Sequence, residues 1–235
     1  MTRIDTVLFD LDDTLYRELD FVVAALACVA EFLEQRTGVR ASSFREDMLK
    51  ILETHGRGHV FDLLLKQHDL PLAWVSPMLF VYRRARPRLQ LFPDARNFLE
   101  RLRFSEVQTG IVTDGCALVQ AGKVTGLGLE TLMDIVVYTD TLGEGAGKPS
   151  SIGYEVALEL LEADPSTSAY VANDVRKDFV GPRHLGMTGV LVTRGMLGVL
   201  DRQPESHRPH HMVHTLEEVG FILEGSSHCT QSHGG

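Results

Sequence analysis

The chain has 235 residues, 44% of them hydrophobic and 23% charged, with a formal net charge of −9. Such a length and composition suit a globular protein of one large domain, or a core carrying an insertion. The acidic balance argues against general nucleic-acid binding, which depends on basic surface.

In chain order, Met1-Thr2-Arg3-Ile4-Asp5 runs directly into the first expected strand, Asp5 to Asp10, without the apolar region of a signal peptide. The longest apolar stretch, Phe21 to Ala30, is too short to span a bilayer. Cys28, Cys116 and Cys229 are odd in number and widely spaced, unlike a disulfide framework or a zinc site. A cytoplasmic protein is therefore expected. Between Tyr16 and Arg88 only helical periodicity is found. Leu19, Val22, Val23, Leu26, Val29, Ala30 and Leu33 share one face of a helix ending near Gly38. A second helix, capped by Ser42 or Ser43, runs to His55; a third covers Val60 to His68, and a fourth lies between Pro71 and Pro87. Arg83, Arg84, Arg86 and Arg88 read as a solvated helix end, with an anion-attracting rim as the alternative.

After Pro93 helices alternate with strands. Helices at 94–103, 116–125, 152–162 and 179–185 precede strands at 109–113, 135–138, 169–172 and 189–192 respectively. Alternation of this kind implies parallel strands with right-handed crossovers. The fold expected is a Rossmann-like, doubly wound α/β core over 1–16 and 89–224. A helical bundle over 17–88 is inserted in it, and a disordered tail follows over 225–235. His207, His210, His211 and His214 are read as a solvated linker around Pro209, with a metal site as the minor alternative.

Chemistry concentrates at strand ends. The apolar run Val7-Leu8-Phe9 breaks into Asp10-Leu11-Asp12-Asp13-Thr14, placing acids at the carboxyl edge of a sheet, where open α/β folds bind ligands. Asp10 and Asp12 share a face if the extended conformation persists through Asp12. One could then attack or bind a metal while the other carries a proton. The second strand end, Thr113-Asp114-Gly115, offers a hydroxyl and helix-start N–H groups as a phosphate cradle. Its alternative is an ordinary Asp-Gly turn. Lys148 precedes Pro149, which keeps it out of the following helix and free to reach an anion. Ser150 or Ser151 could cap that helix. Asn173-Asp174, with Asp178 beyond, supplies oxygen ligands suited to Mg²⁺, or simply an N-cap.

The order of these features, acid pair, Thr, Lys, acid pair, resembles the haloacid dehalogenase-like superfamily in its phosphatase branch. The resemblance covers about residues 4 to 200. Leu91-Phe92-Pro93-Asp94 and Lys177-Asp178-Phe179-Val180-Gly181-Pro182 extend it to the subgroup of N-acylneuraminate-9-phosphatase-like hydrolases. It implies a helical cap, and a Mg²⁺-dependent phosphatase acting on a small phosphorylated metabolite such as a sugar phosphate. It further implies that Asp10 is the nucleophile, Asp12 the acid and base, and Thr113, Asp114 and Lys148 the phosphate-binding group. Asp10, the Asp12 carbonyl and the Asn173, Asp174 and Asp178 segment would hold the metal. Asp13 is expected to be a turn residue. One departure stands out: the family's Gly-Asp is Ala172-Asn173 here, and Asp174 is expected to compensate as the metal ligand. A phosphomutase, or a binding protein with weakened catalysis, are the alternatives.

Overall fold

A strand as apolar as Val7-Leu8-Phe9 is stable only where both faces of a sheet are covered. In the computed structural model, which describes residues 3–194 and 203–225, β1 (Thr6–Phe9) is indeed interior and fully buried. The strands β2 (Gln108–Thr113), β3 (Ile135–Tyr138), β4 (Ser168–Ala172), β5 (Thr188–Val192) and β6 (His211–Val213) complete a parallel sheet. Its order is β3-β2-β1-β4-β5-β6. Phe9 stands opposite Ile111 on one side and Val171 on the other. The chain therefore reverses its direction of travel beside β1, which opens a crevice at the carboxyl ends of β1 and β4. The doubly wound α/β fold expected from sequence is the one observed.

The polypeptide divides into two units, Met1–Arg17 with Gln90–Gln120 and Gly128–Gly235, and Glu18–Leu89 with Ala121–Leu127. The second unit is helical: α1 (Glu18–Thr37), α2 (Ala41–His55), α3 (Val60–Gln67) and α4 (Val75–Arg84). Leu26, Val29, Leu33, Phe44, Met48, Leu64, Leu65 and Met78 form its core. Gly38, at φ 73°, closes α1 by returning its N–H to the Glu34 carbonyl. Neither Ser42 nor Ser43 caps α2; both lie inside its first turn, and Arg40 precedes it without a side-chain cap. Arg86 folds back onto the carbonyls of Arg83 and Ala85 at the end of α4.

In the first unit α5 (Pro93–Leu102), α7 (Ile152–Leu161), α8 (Val180–Leu185) and α9 (Val219–Leu223) flank the sheet, and α6 (Ala117–Leu127) is divided between the units. The later residues of α6 join the helical unit because Gly126 admits close backbone approach. A Cβ there would stand 2.5 Å from the Pro87 carbonyl oxygen, and Leu89 donates to the Gly126 carbonyl. Ahead of α7, Ser150 accepts the Ile152 N–H at 3.4 Å, while Ser151 instead donates to Glu155.

The linker read around Pro209 is corrected: His211–Val213 is the edge strand β6, in register with Val190–Val192. His210 starts it, its N–H on the Gly189 carbonyl and its Nδ1 accepting the Gly189 N–H. Three residues of mixed polarity carry too little periodicity to announce a strand. The expected disordered tail beyond Gly225, and Cys229, lie outside the described residues. Cys28 and Cys116 are free thiols.

Candidate active site

The Asp10 N–H still bonds the Val171 carbonyl at 2.9 Å, so its carboxylate leaves the sheet at the carboxyl edge of β1. There Lys148 Nζ lies 2.5 Å from Asp10 Oδ1 and 3.1 Å from Asp178 Oδ1. The Thr14 hydroxyl reaches Asp10 Oδ2 at 3.1 Å and Asn173 Oδ1 at 3.2 Å. Four residues singled out from three strand ends, Asp10, Lys148, Asn173 and Asp178, thus converge. Water is nearly excluded: Asp10 is 4% exposed and Asp178 0%.

Burial works against the Lys148 ammonium, but the Asp10 and Asp178 carboxylates outweigh it and hold its pKa well above the lysine range. Burial raises Asp178, to about 6, against the pull of Lys148. The Tyr170 ring lies 5.3 Å from Lys148 Nζ and packs edge-to-face on Tyr154. Tyr154 donates its hydroxyl to the Asp178 carbonyl. Desolvation pushes both phenols upward, so they form a neutral floor.

Asp178 Oδ1 is buried and, although within ion-pair distance of Lys148, accepts no hydrogen bond. Two carboxylates here share one ammonium, and the neighbouring donors are all oxygens. A hard cation such as Mg²⁺, which uses one or two protein carboxylates and keeps several waters, fits this set. Among the described residues no three His, Cys, Asp or Glu side chains gather into a complete cation cage.

Asp12 occupies a separate environment. The strand ends at Phe9, Asp13 turns the chain at φ 57°, and Asp12 forms an isolated bridge with Tyr16. The turn thus begins only after Asp12, at Asp13, whose left-handed conformation suits it. Asp12 Oδ1 accepts the Tyr16 hydroxyl at 2.6 Å, and Oδ2 accepts Gln120 Nε2 at 2.9 Å. The same Nε2 donates to Thr113 Oγ1 at 2.6 Å. The two acids keep different partners, the arrangement that lets one act as nucleophile and the other as proton carrier.

Asp114 does not point its charge toward an anion site. Its oxygens accept the Lys148 backbone N–H, both at 3.2 Å, and Oδ1 also accepts the Thr139 hydroxyl. It fastens the lysine loop to β2. One helix-start donor expected in the phosphate cradle, the Ala117 N–H, is taken by Asp140. Asp174, the expected compensating ligand, turns to Arg176: Oδ1 accepts Nε at 2.8 Å and Oδ2 accepts Nη2 at 2.7 Å. Burial raises its pKa, but Arg176 more than offsets this and leaves it lowered. The Asp174 backbone N–H is held by Asp178 Oδ2.

Sequence reasoning missed Tyr16, Gln120, Tyr154 and Tyr170. Gln120 carried a signal, a polar residue inside the stretch Leu118 to Val124, in which every other residue but Lys123 is small or apolar. The tyrosines did not, because their periodicity is that of core residues.

The family model for haloacid dehalogenase-like hydrolases matches residues 4–181, and a related HAD-hydrolase-like model matches residues 145–219. The chain is 28% identical to glyceraldehyde 3-phosphate phosphatase of Pyrococcus furiosus, covering 95% of each chain. It is 31% identical to phosphoserine phosphatase of Thermus thermophilus, covering 93% of this chain and 98% of that one. The crystal structure of a HAD phosphatase from Thermococcus onnurineus matches with TM-score 0.62 at 28% identity, over 94% of this chain and 99% of that one. A magnesium-bound HAD-hydrolase from Bacillus subtilis gives TM-score 0.62 at 20% identity, over 94% and 99% respectively, a likeness of fold.

Proposed function

The chain belongs to the haloacid dehalogenase-like hydrolases, and on that premise we propose a magnesium-dependent phosphatase for a small phosphorylated metabolite, acting through an aspartyl phosphate on Asp10. The observation that carries this reading is the buried Asp10–Lys148 pair at the crevice of the sheet. The ammonium provides a fixed positive charge beside the nucleophile, where phosphoryl oxygens gather. Glyceraldehyde 3-phosphate and phosphoserine, named for the two relatives, are both three-carbon phosphate monoesters. They support a substrate of that size, a small sugar phosphate among them.

Asp10, the Asp12 backbone carbonyl, Asn173 and Asp178 would hold the Mg²⁺ ion, which would supply charge neutralisation to the transferring group. Asp10 attacks phosphorus in line, and the bond to the leaving oxygen breaks as Asp12 delivers a proton to it. Asp12 then takes a proton from water, whose oxygen displaces Asp10 from phosphorus and frees inorganic phosphate. Thr113 and Lys148 hold the phosphoryl oxygens through both steps. Asp114 acts at one remove, by fixing the Lys148 loop.

Phosphate release from p-nitrophenyl phosphate tests the proposal. Turnover is expected to vanish in Asp10→Asn and on EDTA treatment; undiminished turnover in Asp10→Asn rejects the mechanism. The neutral Asn173 favours one second reading, a phosphate-ligand binding protein with little catalysis. Calorimetric binding of phosphate with Mg²⁺, without turnover across a panel of phosphorylated metabolites, would select it.

A further inference from the structure

We propose that Gln120 is a positioning residue that ties proton transfer to phosphate binding, holding Asp12 and Thr113 with the two hydrogens of one amide nitrogen. The inference rests on the phosphatase reading above. Gln120 is 2% exposed, and its Nε2 lies 2.9 Å from Asp12 Oδ2 and 2.6 Å from Thr113 Oγ1.

Gln120 turns its nitrogen, not its oxygen, toward both Asp12 Oδ2 and Thr113 Oγ1, and an amide nitrogen only donates. That nitrogen carries two hydrogens, one for each acceptor. Thr113 Oγ1 therefore receives a hydrogen bond from within the protein, and its own single proton is left for a phosphoryl oxygen. Without Gln120 the Thr113 hydroxyl could donate to Asp12 or to a nearby carbonyl instead. Tyr16 secures the other oxygen of Asp12 at 2.6 Å. Asp12 is thus restrained from two sides, and Gln120 joins it to Thr113.

Each link has its own kinetic signature. Loss of control over Asp12 slows departure of an alkoxide, which needs a proton, far more than departure of p-nitrophenolate, which needs none. Loss of control over Thr113 weakens phosphate binding whatever the leaving group. Both effects are expected in Gln120→Met, which keeps the length of the side chain and removes its donors. Tyr16→Phe should show the first effect alone, because its hydroxyl donates to Asp12.

The experiment measures kcat/KM for p-nitrophenyl phosphate and for an alkyl phosphate that the wild type hydrolyses, with inhibition by inorganic phosphate in parallel. In Gln120→Met the alkyl substrate should lose on the order of tenfold more than the aryl substrate, and the phosphate inhibition constant should rise. In Tyr16→Phe the leaving-group bias should appear with that constant unchanged. Equal losses on both substrates in Gln120→Met, with unchanged phosphate inhibition, would overturn the proposal. If Gln120→Met does not fold, Gln120→Glu provides the same comparison, since it puts an acceptor where Asp12 requires a donor. Wild-type turnover that survives Asp10→Asn would instead mark failure of the phosphatase reading itself.

Discussion

The Lys148 ammonium rests 2.5 Å from Asp10 Oδ1, although 138 residues separate the two in sequence and neither is more than 9% exposed. Asp178 shares the same ammonium, and the two carboxylates outweigh its burial and hold the Lys148 pKa well above the lysine range.

Removing the shared cation should therefore damage both folding and chemistry. Lys148→Met leaves two carboxylates without a counter-charge and is expected to cost about 3–5 kcal/mol. Urea denaturation reads this directly. The double variant Lys148→Met/Asp178→Asn should recover part of the loss, and no recovery would contradict the shared-ammonium arrangement.

The fourth motif predicts a gain. Asn173 Oδ1 shares the Thr14 hydroxyl with Asp10, whereas the Asp174 carboxylate is bound to Arg176. Asn173→Asp should tighten Mg²⁺ binding by about tenfold, close to 1.4 kcal/mol. Asp174→Asn should change it little. Titration calorimetry of the three proteins decides, and the reverse ranking would return the ligand role to Asp174.

Asp94 gives a pH signature remote from the reacting atoms. Its Oδ2 accepts Arg194 Nη2 at 2.8 Å and the Leu216 N–H at 2.9 Å. Burial raises its pKa, but these donors prevail and leave it below the ordinary carboxylate range. A depressed carboxyl stabilises the fold above its unfolded pKa, and that contribution is lost as pH falls through the folded value. Asp94→Asn should lower stability near neutral pH by about 2 kcal/mol and flatten its decline below about pH 4. A series of urea melts across acidic pH provides the measurement.

Gly181 tests packing against the tyrosine floor. A Cβ there would lie 2.7 Å from Tyr154 Cε2 and 2.8 Å from the Ser150 carbonyl oxygen. Backbone cannot yield as a side-chain tip does, so Gly181→Ala should cost about 1–3 kcal/mol. Thermal melts suffice to check it; an unchanged melting temperature would show that the loop before α7 moves freely.

Much of the core was legible because its signals are local. A fully apolar strand, an acid pair at its end and alternating helices and strands are visible in windows of ten residues, and the doubly wound sheet follows from them. β6 was not legible: a three-residue edge strand owes its existence to Val190–Val192, already laid down beside it. The later turns of α6 were assigned from sequence to the core for a similar reason. Their attachment to the helical unit depends on Gly126 meeting Pro87 and Leu89, a contact between distant segments.

Residue identity by itself determined which chemistry this protein can attempt: hard oxygen ligands, a lysine, a hydroxyl and two acids, each at the end of a strand. Partnership was decided only by the tertiary structure. Charge counting favoured Asp174 over Asn173, yet Arg176, two residues along, draws Asp174 aside. Asp114 was grouped with the anion binders, yet it holds the Lys148 backbone. Gln120 drew no notice and spans two functional groups. Hydrogen bonds act over about 3 Å, and neighbours at that range come from folding segments far apart in the chain, which no local pattern records.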